Sequence, residues 1–570
     1  MKKNILNLAI IVFIAFSSNN ANAQYNTLWI PDTLSGTHFE LTLKDTFAQF
    51  KTGNQTISAG VNNSKFWGPT LFFNKEDTVY MKVKNKLNDS TTLHWHGMHL
   101  PAVMDGGPHQ VIPPGTIWQP YWKVTNNAST YWYHPHLHTM TQEQLTKGLG
   151  GFIIVRDQHE SSLALPRSYG VDDIPLVLTS RRYNASNAFV TTKCSYGDYM
   201  LTNGTPNAQT DLPKQFVRLR ILNAEMERAY NLGFSDNRTF YIIATDGGLV
   251  NTPVAVTKVI LAVGERIEIL VDLSNDAVGS SLDLEAYNSG FAIGFPGGEP
   301  GTTGEFGSLL NNTTFNLLHI NVVAQTNNAI KSIPSTLANN TYWTAADATV
   351  SRTIKVTDGN PGPNSKPFSL DSQPFDLTQI NNTVNLNTIE KWTITNNNVF
   401  GHTFHIHDVE FKIVSRSGSS VGNYEAGWKD VLYLPRNTSA TFVAKFDDYS
   451  DSIHPFMYHC HFSNHEDGGM MGQFVVKSST TGINKIEEEL NDFSIYPNPS
   501  SEKIYIKFGS PLMQAYYIKI NNSFGRTIYM LPRPQLQNGI DISNLSPGLY
   551  FLQLTDEKTK GTITKKFIVE

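Results

Sequence analysis

Cysteine is almost absent from this chain, with two in 570 residues, so a disulfide-stapled fold is excluded and only one bridge could ever form. Charge is also sparse: Asp, Glu, Lys and Arg make up 16% of the residues, the net charge is −5, and no long basic run occurs. Without a basic footprint, nucleic acid is excluded as a partner. Long stretches with a 3.6-residue apolar period are few, which argues against a helical protein. Gly, Asn and Thr between short Val/Ile/Phe/Tyr runs predict an all-β chain of many short strands. At this length the chain divides into three or four domains, each able to bury its own core.

Only one apolar run could be taken for a membrane segment. It lies within the opening "MKKNILNLAIIVFIAFSSNNANAQ", where two lysines precede roughly Ile5 to Phe16 and small residues follow at Ala21-Asn22-Ala23. The run is shorter than the ~20 residues a bilayer demands, so residues 1–23 are read as a secretory signal peptide cleaved before Gln24. An exported, soluble protein is expected.

What the chain does contain is repetition. "DTVYMKVKNKL" (77–87), "KQFVRLRILNA" (214–224) and "TIEKWTITNNN" (388–398) are period-2 strands running into Asn85, Asn223 and Asn396. Nine residues beyond each asparagine stand His94, Leu232 and His405, so the first and third copies carry a His-x-His pair and the second carries none. A second pairing matches "YWYHPHLH" (131–138) with "FMYHCHFS" (456–463). Three similar domains follow, the outer two bearing metal ligands and the middle one structural.

Alternate residues of a strand share a face. Hence His94 with His96, His134 with His136, His405 with His407, and His459 with His461 each project two imidazoles in one direction. Eight imidazoles exceed the needs of one ion, and a cluster of metals shared by the outer domains fits better. Cys460, between two of these histidines, faces the other way, where His402, His465 and Met470 can join it. Two histidines, a thiolate and a weak axial methionine describe a blue-copper electron-transfer centre. A bridge between Cys194 and Cys460 is the alternative use of the two thiols. His38, His99, His109, His138, His159, His319 and His454 are read as ordinary surface or core residues.

"HWHG", "HPHLH", "HTFHIH" and "HCHFSNHEDGGMM" resemble the four copper motifs of the multicopper oxidases, with most likeness to bacterial three-domain laccases and cuprous oxidases, over residues 25–478. The resemblance implies three cupredoxin-like Greek-key β-barrel domains (24–160, 161–330 and 331–478) and four copper ions. One type 1 copper is implied on His402, Cys460, His465 and Met470, and one type 2 copper on His94 and His405. Two type 3 coppers are implied on His96, His134, His136, His407, His459 and His461. It further implies O2 as acceptor, reduced to water, a small-molecule electron donor entering at an exposed edge of His465, and proton delivery by Asp105 and Glu466. Either acid could instead be an ordinary loop carboxylate or a partner that orients a ligand imidazole.

An axial methionine lowers the copper potential relative to an apolar residue, which points to electron-rich phenols and aromatic amines as donors. The stretch before the first type 1 histidine, "NNNVFGH" (396–402), has neither methionine nor acid, so a dedicated cuprous or other metal-ion oxidase is the second reading. A copper-binding scaffold on the same fold is a third. Residues 479–491 read as a linker. Residues 492–570, from "YPNP" through "LSPGLYFLQL" to "KKFIVE", form a small β-sandwich that resembles the C-terminal sorting domain of type IX secretion substrates. That resemblance implies passage across the outer membrane, with the protein then secreted or held at the cell surface, and a monomer is expected.

Overall fold

The computed structural model describes residues 25–192, 195–357, 368–478, 493–508, 516–523, 525–532, 539–556 and 562–570. The expected signal peptide, Cys194 and the 479–491 linker lie outside the described residues. Two compact units are present, residues 1–477 and 478–570.

The first unit holds three pairs of sheets. In the first domain, Thr56–Val61, His38–Ala48, Thr78–Lys86 and Ile117–Trp118 lie side by side. They face a second sheet ordered Thr33–Ser35, Thr70–Asn74, Gly151–Arg156, Ser129–His134, His94–His96. The third domain repeats this plan: its second sheet runs Asn382–Asn385, Met471–Lys477, Asp451–Cys460, His402–Ile406, Val431–Leu434. Strand Thr78–Lys86 shows why the sequence folds so. Val79, Met81, Val83 and Asn85 point inward while Tyr80, Lys82 and Lys86 are exposed, the period-2 signature of a sheet with one wet face.

The three asparagines at the repeat ends do the same work three times. Each is fully buried. The Oδ1 of Asn85, Asn223 and Asn396 accepts from the backbone N–H two residues on, at 2.8, 3.1 and 3.0 Å. Each Nδ2 donates to a carbonyl of the following loop and to one across the sheet, such as Ile112 O at 2.7 Å and Leu261 O at 3.0 Å. The side chain thereby supplies the partners that the turning backbone loses. The chain re-enters the opposite sheet six to nine residues on, at His94–His96, Tyr230–Phe234 and His402–Ile406.

Two segments pack against the middle domain from outside it in sequence. Asn26–Thr27 runs parallel to Ala208–Gln209 as an edge of a middle-domain sheet. Leu337 and Ala338 pack with Phe216, Ile243 and Leu270 of the middle domain, and the third domain's sheet begins only at Val350. Apolar composition alone does not say which of two neighbouring cores a connecting segment covers.

In the second unit, a three-stranded and a four-stranded sheet enclose Ile504, Ile518, Ile520, Leu552, Leu554 and Phe567. Among the described residues, no helix is long and apolar enough to cross a membrane.

Candidate metal centre

Antiparallel pairing puts His94 opposite His134 in the first domain and His405 opposite His459 in the third. With the next-but-one histidine of each motif, eight imidazoles meet where the outer domains face each other, all of them buried. Two groups of three form. His96, His134 and His461 converge, with His96 Nδ1 3.3 Å from His134 Nε2 and 3.2 Å from His461 Nε2. His136, His407 and His459 converge through Nε2 atoms, at 3.1 and 3.3 Å from His459 Nε2. Each group draws on both domains. The remaining two, His94 and His405, have Nε2 atoms that are buried without a hydrogen-bond partner.

Those two orphaned atoms are informative because buried polar groups are mostly hydrogen-bonded and each of these turns toward the other imidazoles. On the opposite side of each ring, Nδ1 meets a carbonyl, Asp105 O at 3.0 Å for His94 and Asp430 O at 2.8 Å for His405. A carbonyl can only accept, so the ring hydrogen sits on Nδ1 and a lone pair is left on Nε2, facing inward. This is how a metal-ligating histidine is held. Burial first, then the neighbouring imidazoles, hold His96, His134, His136, His405, His407 and His461 well below the usual histidine range. Burial takes His459 down to about 3. Neutral rings with inward lone pairs, and no charged side chain inside the ring of eight, fit soft to borderline metal ions such as copper.

Both expected acids touch these imidazoles from outside. Asp105 Oδ2 accepts from His407 Nδ1 at 2.8 Å, and its Oδ1 has no hydrogen-bond partner. Glu466 lies 3.1 Å from His136 Nδ1 and 3.4 Å from His459 Nδ1, and accepts from the Thr141 hydroxyl at 2.7 Å. Burial, then Asp467, pushes the Glu466 carboxyl well above the carboxylate range. Asp467 accepts from the backbone N–H groups of Thr141 and Gln142, at 3.0 and 2.9 Å. A third-domain acid thereby caps the first-domain helix Thr141–Lys147 and ties the two domains beside the cluster.

The reverse face of the same strand carries the second centre. Cys460 Sγ lies 3.6 Å from both His402 Nδ1 and His465 Nδ1. Met470 is buried in the same core, its carbonyl accepting from Cys460 N–H at 3.0 Å. Cys460 O in turn accepts from His459 Nδ1 at 3.1 Å, adding a hydrogen bond to the covalent link between the two centres.

One expectation is overturned. The His465 edge is not exposed: the residue is 4% accessible, its ring stacks on Phe368 at 4.2 Å, and Nε2 faces Glu227 Oε1 at 3.8 Å. Glu227 comes from the middle domain and is fully buried, and burial, only partly offset by hydrogen bonds from Ser195 and Asn464, pushes it up to about 8. The stretch before His402 gave no hint of it, because the acid arrives from more than 150 residues away in the sequence. Asp430 and Arg266, which hold the cluster from outside, were equally unmarked. His138 joins none of the metal-competent groups found among the described residues.

A fold of paired sheets with eight buried imidazoles and a His2Cys set defines a copper-binding oxidoreductase. Family comparison agrees: profiles described as multicopper oxidase match residues 43–160, 180–280 and 345–480. The multicopper oxidase Mco of Staphylococcus haemolyticus is 31% identical over 75% of this chain and 86% of its own length. The cell division protein FtsP of Escherichia coli is 30% identical over 80% of this chain and 94% of its own. Among solved structures, the laccase-like multicopper oxidase CueO from Ochrobactrum sp. superposes with a TM-score of 0.70 at 30% identity, covering 79% of this chain and all of that one. McoA of Aquifex aeolicus gives 0.71 at 27% identity, covering 80% of this chain and all of its own. The chain belongs to the multicopper oxidase family, and residues 494–570 match a secretion system C-terminal sorting domain.

Proposed function

We propose that this is an exported laccase-type oxidase that takes single electrons from phenols or aromatic amines and passes four of them to O2, forming water. The ligand sets are those of the motifs: type 1 copper on His402, Cys460, His465 and Met470, type 2 on His94 and His405. The type 3 pair is held by His96, His134, His136, His407, His459 and His461. When bound, the four coppers supply the one-electron acceptor and the site of O2 reduction. The chain's own residues do the rest. Cys460, His459 and His461 link the two centres covalently, while Asp105 and Glu466, each beside ligand imidazoles, are placed to move protons. The observation that carries this reading is the pair of inward, unpartnered Nε2 atoms on His94 and His405, set between two three-imidazole groups.

A second reading, oxidation of a small cation such as Cu(I) or Fe(II), is favoured by Glu227. A buried acid 3.8 Å from His465 Nε2 offers carboxyl oxygens that a small cation can meet on giving up its proton, and leaves little room for a bulky ring. The third reading, a non-catalytic scaffold, draws on the likeness to proteins named for cell division. Against it, no ligand position is empty of a ligand residue. The sorting domain supports delivery across the outer membrane, to the medium or the cell surface.

Copper analysis of the purified chain, its visible spectrum and O2 uptake with phenols, bilirubin, Cu(I), Fe(II) and Mn(II) test these readings. Four coppers, a blue protein and uptake with phenols are expected. Uptake with metal ions alone selects the second reading, and a colourless protein with no uptake selects the third.

A further inference from the structure

His96 differs from the other seven imidazoles. They turn Nε2 inward, whereas His96 turns Nδ1 inward and leaves Nε2 outside, 3.3 Å from Asp430 Oδ1. Asp430 in turn is gripped by Arg266, whose Nη1 and Nη2 donate to its two oxygens at 2.6 Å each. Arg266 is fully buried and spends all five of its N–H hydrogens. The other three go to Thr130 O at 3.2 Å, Gly264 O at 3.1 Å and Asp246 O at 3.0 Å. One guanidinium therefore joins the first domain through Thr130, its own middle domain, and the third domain through Asp430.

The arrangement mirrors that of Asp105. In each outer domain an aspartate carbonyl receives a hydrogen from its own domain's first His-x-His ring. The carboxylate of that aspartate reaches the second ring of the other domain's pair, Asp105 to His407 and Asp430 to His96. They differ in one respect: Asp105 Oδ1 is left without a hydrogen-bond partner, while both oxygens of Asp430 accept from Arg266.

We propose that Arg266 and Asp430 are positioning residues by which the ligand-free middle domain sets the ring hydrogen of His96 on Nε2, so that Nδ1 is its metal-binding atom, and orients His405 through the Asp430 carbonyl. A carboxylate that receives two guanidinium hydrogens offers only lone pairs, so the imidazole facing it must donate. The middle domain is then part of the copper site rather than a spacer. Lysine cannot stand in for Arg266, because an ammonium has neither the planar fork nor five donors.

This inference rests on the ligand assignment above, and the test separates the two. The copper-loaded full chain is compared with Asp430→Asn, Arg266→Gln and Arg266→Lys. The blue type 1 band serves as the internal reference for folded protein, the near-ultraviolet type 3 band as the readout, and a competing chelator reports cluster affinity. In the variants the near-ultraviolet band should fall relative to an intact blue band, with cluster copper bound roughly 10–100-fold more weakly. An unchanged ratio and affinity in Asp430→Asn and Arg266→Lys would overturn the inference. Should Arg266→Gln yield no blue protein, Asp430→Asn, which keeps the side-chain size, gives the reading. A parent chain lacking the near-ultraviolet band would instead refute the ligand assignment itself.

Discussion

Asp105 of the first domain accepts a hydrogen bond from His407 of the third at 2.8 Å, and its other carboxylate oxygen is buried with no hydrogen-bond partner. One oxygen orients His407, and the other lies 3.2 Å from His94 Nδ1, so the acid stands between two of the clustered imidazoles where it could pass a proton. Asp105→Asn keeps the volume and removes the acid. Steady-state O2 consumption should fall about 10²-fold or more, while anaerobic bleaching of the blue band by a donor proceeds at the parent rate. Equal slowing of both steps would show that the residue acts on electron uptake instead.

Cys460 stands between His459 and His461, yet its sulfur faces His402 and His465 on the reverse of the strand. Cys460→Ser is therefore expected to abolish the blue band and donor oxidation and to spare most of the copper held by the eight imidazoles. Copper counting with the visible spectrum checks this. Loss of all copper together would mean that the two faces are not independent sites.

The clustered histidines were legible because the strand period puts each His-x-His pair on one face, and the repeat returns two of the four pairs nine residues after Asn85 and Asn396. Asp105 and Glu466 were legible because each follows a ligand closely in the chain. Arg266, Asp430 and Glu227 were not. The contacts that bring them to the site, Asp430 to His96, Arg266 to Asp430 and Glu227 to His465, each span more than 100 residues, and a middle domain without a His-x-His pair gave no reason to search it. The burial of His465 was hidden for the same reason, since what covers its Nε2 edge is a middle-domain side chain. Asn26–Thr27 and Leu337–Ala338 attach to the middle domain, a placement that no local pattern identifies.

Glu227 separates the first two functional readings. Replacing it by Gln removes the ionisable carboxyl facing His465 Nε2 and leaves the shape. If small cations are the donors, KM for Cu(I) or Fe(II) should rise roughly tenfold or more, with little change in kcat for a phenolic dye, because the group that could become an anion to face the cation is lost. If aromatic donors are natural, metal-ion and dye kinetics should shift together and modestly. Parallel initial-rate measurements distinguish the two.

His99 supplies a pH dependence away from the metal site. Burial pushes its imidazolium down, but Asp448, 2.8 Å from Nδ1, with Glu410 and Asp447, outweighs burial and raises the pKa to about 9. The unfolded value is ~6.5, so the folded state binds the proton more tightly. The resulting stability is complete below pH ~6.5 and is lost as pH rises through about 9. His99 and Asp448 side chains are each 20% exposed, so the contribution is about 3 kcal/mol at most. His99→Gln should lower Tm at pH 6, and the gap between parent and variant should close toward pH 10. A gap that stays constant across this range in a thermal-melt series would show that packing, not the ion pair, sets the effect.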